Sequence, residues 1–242
     1  MICCRDIPAI TRAIAQAESV VALTGAGVSA ESGVPTFRDA QTGLWAQYRA
    51  EDLATPEAFA RQPGVVWDWY AYRRKLVAQV QPNPAHRALA ALEDRVPAVT
   101  IITQNVDGLH QRAGSSRVVE LHGNIARVRC ANCGRLAASW TEPPVPPRCP
   151  ACDGPLRPDV VWFGELLPRQ ALAEATAALQ SCDVLLVVGT SALVEPAASL
   201  PLLAIRRGAL VVEINPAPTP LTPLVTASLR GPAGVLVAQV VG

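Results

Sequence analysis

Apolar positions recur at helical spacing over residues 7–17, which predicts a helix. Residues 20–24 follow as a short, β-branched apolar run that ends at Gly25, the pattern of a strand buried on both faces. Helical spacing returns over residues 53–60 and 65–80, with Pro56 and Pro63 as punctuation. Pro82 and Pro84 break that pattern, and residues 86–92 read as a short amphipathic helix. Residues 99–103 predict a second buried strand and residues 118–121 a third. Further along, 170–179 and 199–207 read as helices, and 184–188, 210–214 and 235–240 as strands. Strands that alternate with helices predict an α/β fold with a mostly parallel sheet.

The pattern changes over residues 125–158. This stretch holds four of the seven cysteines together with Pro143, Pro144, Pro146 and Pro147, so long helices are excluded and an inserted module is expected. Cys130-x2-Cys133 and Cys149-x2-Cys152, fifteen residues apart, form a tetrathiolate zinc pattern. Four thiolates fill a tetrahedral shell and leave no place for water, so one structural ion is expected. Arg135 and Arg148 between the knuckles are too few to favour nucleic-acid binding. Of the other cysteines, Cys182 reads as a small core residue, and Cys3 and Cys4 carry no readable role.

Composition narrows the class. Half of the 242 residues are apolar and 17% are charged, which argues against disorder. A net charge of +1, from 21 basic and 20 acidic side chains, gives no whole-surface attraction for nucleic acid or anionic lipid. The longest apolar runs, such as 184–188, fall far short of the roughly 18 residues of a membrane span. Residues 1–8 lack a signal-peptide core, so a soluble, cytoplasmic protein is expected.

The segment Gly25-Ala26-Gly27-Val28-Ser29-Ala30 fits the G-x-G-x-x-G/A dinucleotide fingerprint and directly follows a predicted strand. Glycines there allow a tight turn and close approach of backbone to a pyrophosphate. They also suit a turn that needs glycine only for its backbone angles, and both readings stand on this segment alone. No acidic residue ends a next strand about 20 residues on, where a dehydrogenase would hold the adenosine ribose. Ser32-Gly33-Val34-Pro35-Thr36-Phe37-Arg38-Asp39 occurs instead, and its proline opposes a long helix.

Taken together, Gly25–Ala30, Ser32–Arg38, Gln104-Asn105-Val106-Asp107, Leu121-His122-Gly123, the two cysteine pairs, Gly189-Thr190-Ser191 and Asn215 resemble the sirtuin family of NAD-dependent protein deacylases. They stand in that family's order and cover most of the chain. Val28, Val34 and Val106 replace the family's usual isoleucine, a loss of one methylene each. The resemblance implies a Rossmann-like NAD-binding domain of residues 1–38, 82–124 and 159–242. Residues 39–81 and 125–158 would form a smaller domain, partly helical and partly zinc ribbon. An acyl-lysine protein or peptide would enter between them as an added strand.

By the same resemblance, NAD would be met by Gly25, Ala26, Phe37, Arg38, Gln104, Asn105, Asp107, Gly189, Ser191 and Asn215. Val161, Trp162, Phe163, Gly164 and Glu165 look like the substrate-binding segment. His122 would be the general base that deprotonates a ribose hydroxyl, a role that suits a group titrating near neutrality. NAD would be consumed, giving nicotinamide and O-acyl-ADP-ribose. Of the other histidines, His110 would be structural and His86 a helix-face residue without chemistry.

Tyr70 and Arg73 lie three apart on a predicted helix and share a face. A guanidinium and a phenol can together bind a carboxylate. The pair resembles the sirtuin subgroup that removes succinyl, malonyl and glutaryl groups, with Ala50 at a position where that subgroup widens the pocket. A solvated basic face of Arg73, Arg74 and Lys75 is the competing reading. An acetyl-lysine deacetylase, a mono-ADP-ribosyltransferase, a catalytically silent NAD sensor and a nicotinamide dehydrogenase remain as functional alternatives.

Overall fold

The computed structural model describes residues 6–35, 49–140 and 145–242. Its strands are β1 (Ser19–Thr24), β2 (Ala98–Thr103), β3 (Val118–Glu120), β4 (Gly123–Cys130), β5 (Leu156–Val160), β6 (Val184–Val188), β7 (Leu210–Ile214) and β8 (Ala227–Leu229). Six of them form one parallel sheet in the order β3-β2-β1-β6-β7-β8. Neighbouring side chains of a strand point to opposite faces. In β1, Val20 and Ala22 therefore pack with one core and Val21 and Leu23 with the other. Burial on both faces is why β1 and β6 read as nearly continuous apolar runs.

The helices are α1 (Ile7–Ala15), α2 (Ala50–Leu53), α3 (Pro56–Arg61), α4 (Pro63–Gln79), α5 (Pro84–Ala91), α6 (Leu109–Ala113), α7 (Arg169–Ser181), α8 (Pro201–Arg207) and α9 (Ala233–Val241). Ile10 and Ile14 of α1, Leu89 of α5 and Val237 of α9 cover one face of the sheet. Ala175 and Leu179 of α7 and Ala204 of α8 cover the other. The chain runs from β1 outward to β3, then returns to place β6 on the other flank of β1. That reversal opens a crevice at the carboxyl ends of the strands, where ligands bind in such sheets.

A second region stands over this crevice. β4 and β5 pair antiparallel, with a register shift between Asn124 and Val128. Leu53, Phe59, Val66, Trp69, Tyr70, Ile125, Val160 and Trp162 form its core with the small helices. A smaller cluster of Trp67, Val128, Cys130, Cys149 and Leu156 lies beside it. The helix expected over 53–60 is divided, because Thr55 accepts the Ala58 N–H at 3.0 Å and caps a new helix.

The strand expected at 235–240 is a correction: these residues lie within helix α9. A short apolar run does not by itself distinguish a buried strand from a buried helix. Here Ala233, Val237, Val240 and Val241 are buried at helical spacing, while Val235 is exposed. Both helix ends are held: Glu31 accepts from Gly234 N at 2.5 Å, and Arg95 donates to the Val241 and Gly242 carbonyls at 2.6 Å. The sheet is closed on that side by β8, which the apolar pattern did not announce. Among the described residues, no helix is long and apolar enough to cross a membrane.

Candidate active site

A cleft of about 650 Å³ runs between the strand ends and the smaller region. Its sheet side comes from successive turns: Gly25, Ala26 and Gly27 after β1, Gln104–Asp107 after β2, His122 after β3, Gly189–Ser191 after β6 and Asn215 after β7. Its other side carries Tyr70 and Arg73 from α4, Val160 at the end of β5 and residues 161–165 after it. The sequence-derived candidates Gly25, Ala26, Gln104, Asn105, Asp107, His122, Gly189, Ser191, Asn215, Tyr70, Arg73, Val161, Trp162, Phe163, Gly164 and Glu165 are thus brought to one cavity. Phe37 and Arg38 lie outside the described residues. Ala50 opens α2, and its side chain lies outside the description too.

The two glycines of the first turn have a packing role that the motif did not reveal. A Cβ on Gly25 or Gly27 would meet the Gly189 carbonyl oxygen at 2.8 Å. Gly27 N donates to that same oxygen at 2.8 Å. The β1 and β6 turns therefore interlock through glycine, and two short 3-10 turns, Ala26–Val28 and Ala30–Ser32, follow β1 in place of a helix.

Ser29 sits at the centre of a buried polar cluster. Its hydroxyl donates to Asp107 Oδ2 at 2.7 Å and accepts from Asn105 Nδ2 at 3.0 Å. His86 Nε2 lies 3.3 Å from the same oxygen. His86 is fully buried, and burial pushes its pKa down to about 4 against the opposing charge of Asp107. The expected helix-face histidine is thus an interior one, drawn in by the Asn83 cap and Ser29. His110 contacts Thr24 Oγ1 at 2.9 Å, and burial, reinforced by His86, lowers its pKa to about 3. Both rings are neutral near pH 7.

His122 differs from these two, because it lines the cleft. Its Nδ1 lies 2.8 Å from the Gln104 carbonyl oxygen. A carbonyl only accepts, so Nδ1 carries the hydrogen and Nε2 keeps its lone pair. Burial lowers the pKa from its ordinary value, opposed by the hydrogen bond to Gln104. The result is a neutral imidazole able to take a proton.

On the opposite side, Trp162 Nε1 donates to Tyr70 Oη at 2.9 Å. Burial drives the Tyr70 pKa up to about 12, although Arg73 and the Trp162 hydrogen bond pull it down. The phenol is therefore protonated. Arg73 stands 5.0 Å from the centroid of the Trp69 ring and lines the cleft, so it does not lie on a solvated face beside Lys75. Trp162 is itself fixed: the Arg157 guanidinium stacks 3.3 Å from its ring centroid, and its N–H donates to Glu165 Oε2 at 2.8 Å. Arg157 also donates to both oxygens of Glu165.

Ser29, Ala54, Val106, Ile125 and Thr190 line the same cavity and were not singled out as site residues. Ser29 lay within the glycine motif, and Thr190 between two chosen residues. Thr190 accepts from Gln104 Nε2 at 3.1 Å, which links the β2 and β6 turns. Ala54 and Ile125 carry no polar signal that could have marked them.

Away from the cleft, the Sγ atoms of Cys130, Cys133, Cys149 and Cys152 all lie within 4.8 Å of one another. The Cys130–Cys152 and Cys133–Cys149 separations are 3.4 and 3.9 Å. A tetrahedron with Zn–S bonds of about 2.3 Å has edges of about 3.8 Å, so the four sulfurs fit one zinc ion.

A family model described as Sir2 family matches residues 25–196. The NAD-dependent protein deacylase of Ralstonia nicotianae is 57% identical over 230 residues, covering 94% of this chain and 93% of that protein. The NAD-dependent protein deacylase 1 of Archaeoglobus fulgidus is 51% identical, covering 96% of this chain and 95% of its own length. A solved Sir2 homologue–NAD complex superposes with a TM-score of 0.90 at 50% identity, covering 97% of this chain and 92% of that one. A Sir2 protein bound to acetylated peptide gives a TM-score of 0.85 at 31% identity, with 97% of each chain covered. This chain belongs to the Sir2 family.

Proposed function

We infer that this chain is an NAD-dependent protein-lysine deacylase, and we propose that it prefers acidic acyl groups such as succinyl, malonyl and glutaryl. The family membership and the deacylase names of relatives that span nearly the whole chain support the first statement. The acyl preference rests on one observation: Trp162 donates to Tyr70 Oη. That hydrogen bond occupies an acceptor site of the phenol and leaves its O–H to be donated. Tyr70 can then donate its O–H, Arg73 has donors and no acceptor, and a carboxylate is the acyl terminus that can accept from both. A solved relative is bound to acetylated peptide, so acetyl-lysine deacetylation is the second reading.

In this proposal NAD is a co-substrate that lies along the strand ends. From β3 to β7 there are four strand intervals of about 4.8 Å, a span of about 19 Å that suits an extended dinucleotide. Gly25, Ala26, Gly189 and Ser191 would meet phosphates and ribose, with Phe37 and Arg38 contributing from beyond the described residues. Gln104, Asn105 and Asp107 would line the nicotinamide end and Asn215 the adenosine end. The acyl oxygen attacks the ribose carbon as nicotinamide leaves. His122 Nε2 then takes the proton of a ribose hydroxyl, directly or by relay, and that oxygen attacks the acyl carbon. With one water the products are free lysine, nicotinamide and O-acyl-ADP-ribose.

Residues 160–165, with Ala50 near the pocket, would receive the acyl-lysine peptide. One zinc ion on the four cysteines would hold the smaller region in shape. The division into 1–38, 82–124 and 159–242 against 39–81 and 125–158 belongs to the same proposal, as does a cytoplasmic location.

Mass spectrometry of matched succinyl-lysine and acetyl-lysine peptides, with and without NAD, tests both parts. NAD-dependent desuccinylation exceeding deacetylation is expected. Faster deacetylation would remove the acidic preference, and turnover without NAD would remove the proposed chemistry.

A further inference from the structure

The end of the cleft at β7 is built around a buried carboxylate that no step above uses. Glu213, one residue before the end of β7, is 1% exposed. Its Oε1 accepts from the Thr219 hydroxyl, and its Oε2 from Thr222 Oγ1 at 2.7 Å, Ser228 Oγ at 2.9 Å and Arg230 NH2 at 2.9 Å. Burial raises the pKa of such a group, but here the hydroxyls and the Arg230 charge outweigh it and hold Glu213 below its ordinary value. The carboxylate is thus ionised and fully engaged.

Its partners reach the cleft wall. Arg230 NH1 donates to the Ala217 carbonyl at 2.8 Å and to the Asn215 carbonyl at 3.4 Å. Asn215 Nδ2 donates to the same Ala217 carbonyl at 2.9 Å, which leaves Oδ1 as an acceptor. Thr219 N and Leu221 N are held by Thr222 Oγ1 and Thr219 Oγ1, two of the three hydroxyls that donate to Glu213. The turn that carries Asn215 is therefore fixed by Glu213 from both of its flanks.

We propose that Glu213 is a positioning residue for the adenosine end of NAD. It acts through Arg230 and the two threonines to hold the 215–222 turn, and so presents Asn215 Oδ1 to a ribose hydroxyl. The inference rests on the co-substrate reading above and is independent of the acyl preference. A merely structural carboxylate would affect stability and the active fraction alone. A positioning carboxylate would weaken the adenosine half of the ligand and spare the nicotinamide half.

The test is Glu213→Gln, which keeps the shape and removes the charge. KM for NAD and the dissociation constant of ADP-ribose by calorimetry should both rise about tenfold, the scale of one charge-assisted hydrogen bond. KM for the acyl peptide and inhibition by nicotinamide should stay within about twofold of the unaltered chain. Unchanged NAD and ADP-ribose values in a folded variant would overturn the proposal and leave the deacylase reading intact. Equal weakening of NAD, peptide and nicotinamide would overturn it as well. Thr219→Val serves if Glu213→Gln does not fold, with a rise of about threefold expected for the same two quantities and no rise overturning the proposal. Absence of ADP-ribose binding by the unaltered chain would overturn the co-substrate reading and this inference together.

Discussion

The two sides of the cleft are held together by different physics. The sheet side rests on strands whose side chains are buried on both faces, with every residue of β6 inside. The β4–β5 side rests on a core shared with the small helices and on a smaller cluster that includes two of the metal-binding cysteines themselves. A five-residue aliphatic strand packed between two helix layers repeats its instruction at every position. The β4–β5 region depends on a few residues far apart in sequence. One side should therefore tolerate insult by degrees, and the other should fail at once when its tie is cut.

Removal of zinc by a strong chelator is the largest way to break this contrast. Structural zinc supplies about 10–16 kcal/mol of binding free energy to small zinc-dependent folds. Amide exchange should become fast over residues 123–160 and stay slow in β1, β2 and β6, with deacylation lost. Activity that survives in protein shown to be zinc-free would end the structural-zinc account.

On the sheet side, His122→Ala should lower kcat by about 10²–10⁴, the usual worth of a general base, while leaving the fold intact. The acid limb of kcat/KM in the unaltered chain should fall below the ordinary imidazole pKa of about 6.5, because burial favours the neutral base. Activity is then kept as pH falls through 6.5 and lost below it. A limb at or above that value would contradict the burial argument.

His86 and His110 make a smaller prediction for the same side. Their pKa values of about 4 and about 3 lie below that of an unfolded histidine. Below about pH 6.5 the unfolded chain binds protons that the native chain refuses, so stability falls as pH falls. Each ring contributes about 1.4 kcal/mol per pH unit until its folded pKa is reached. Urea midpoints at pH 7 and pH 5 measure this, and equal midpoints would show that the two rings are not held neutral.

The same contrast decides what could be read from the sequence. The strands at 20–24, 99–103, 184–188 and 210–214 were legible because burial on both faces writes a run of mostly apolar, β-branched residues, broken only by Thr24, Thr100, Thr103 and Glu213. Residues 235–240 produced the same signal for another reason, since a helix between α1, α5 and the sheet is apolar on most of its surface. β4 and β5 were not legible. They carry Arg127, Arg129, Arg157 and Asp159, and these charges interrupt any apolar run: Arg127 and Arg129 pair with Asp159 across the strands, and Arg157 pairs with Glu165. Cysteine spacing marked the metal ligands, and motif spacing marked the turns after β1, β2, β3 and β6. The Ser29 cluster stayed hidden because only the fold brings its residues together, and the Glu213 cluster because its hydroxyls and Arg230, scattered over residues 213–230, follow no spacing rule.

The most direct test of the account is the activity of Arg73→Met on matched succinyl-lysine and acetyl-lysine peptides. Arg73 is one of two donors facing the acyl group in this account, and it takes no part in NAD chemistry. Desuccinylation should fall by about 10–100-fold in kcat/KM, the scale of a hydrogen bond to a charged group, with deacetylation changed by less than about threefold. Equal loss on both peptides would make Arg73 a structural residue of α4 and would contradict the account of the acyl pocket.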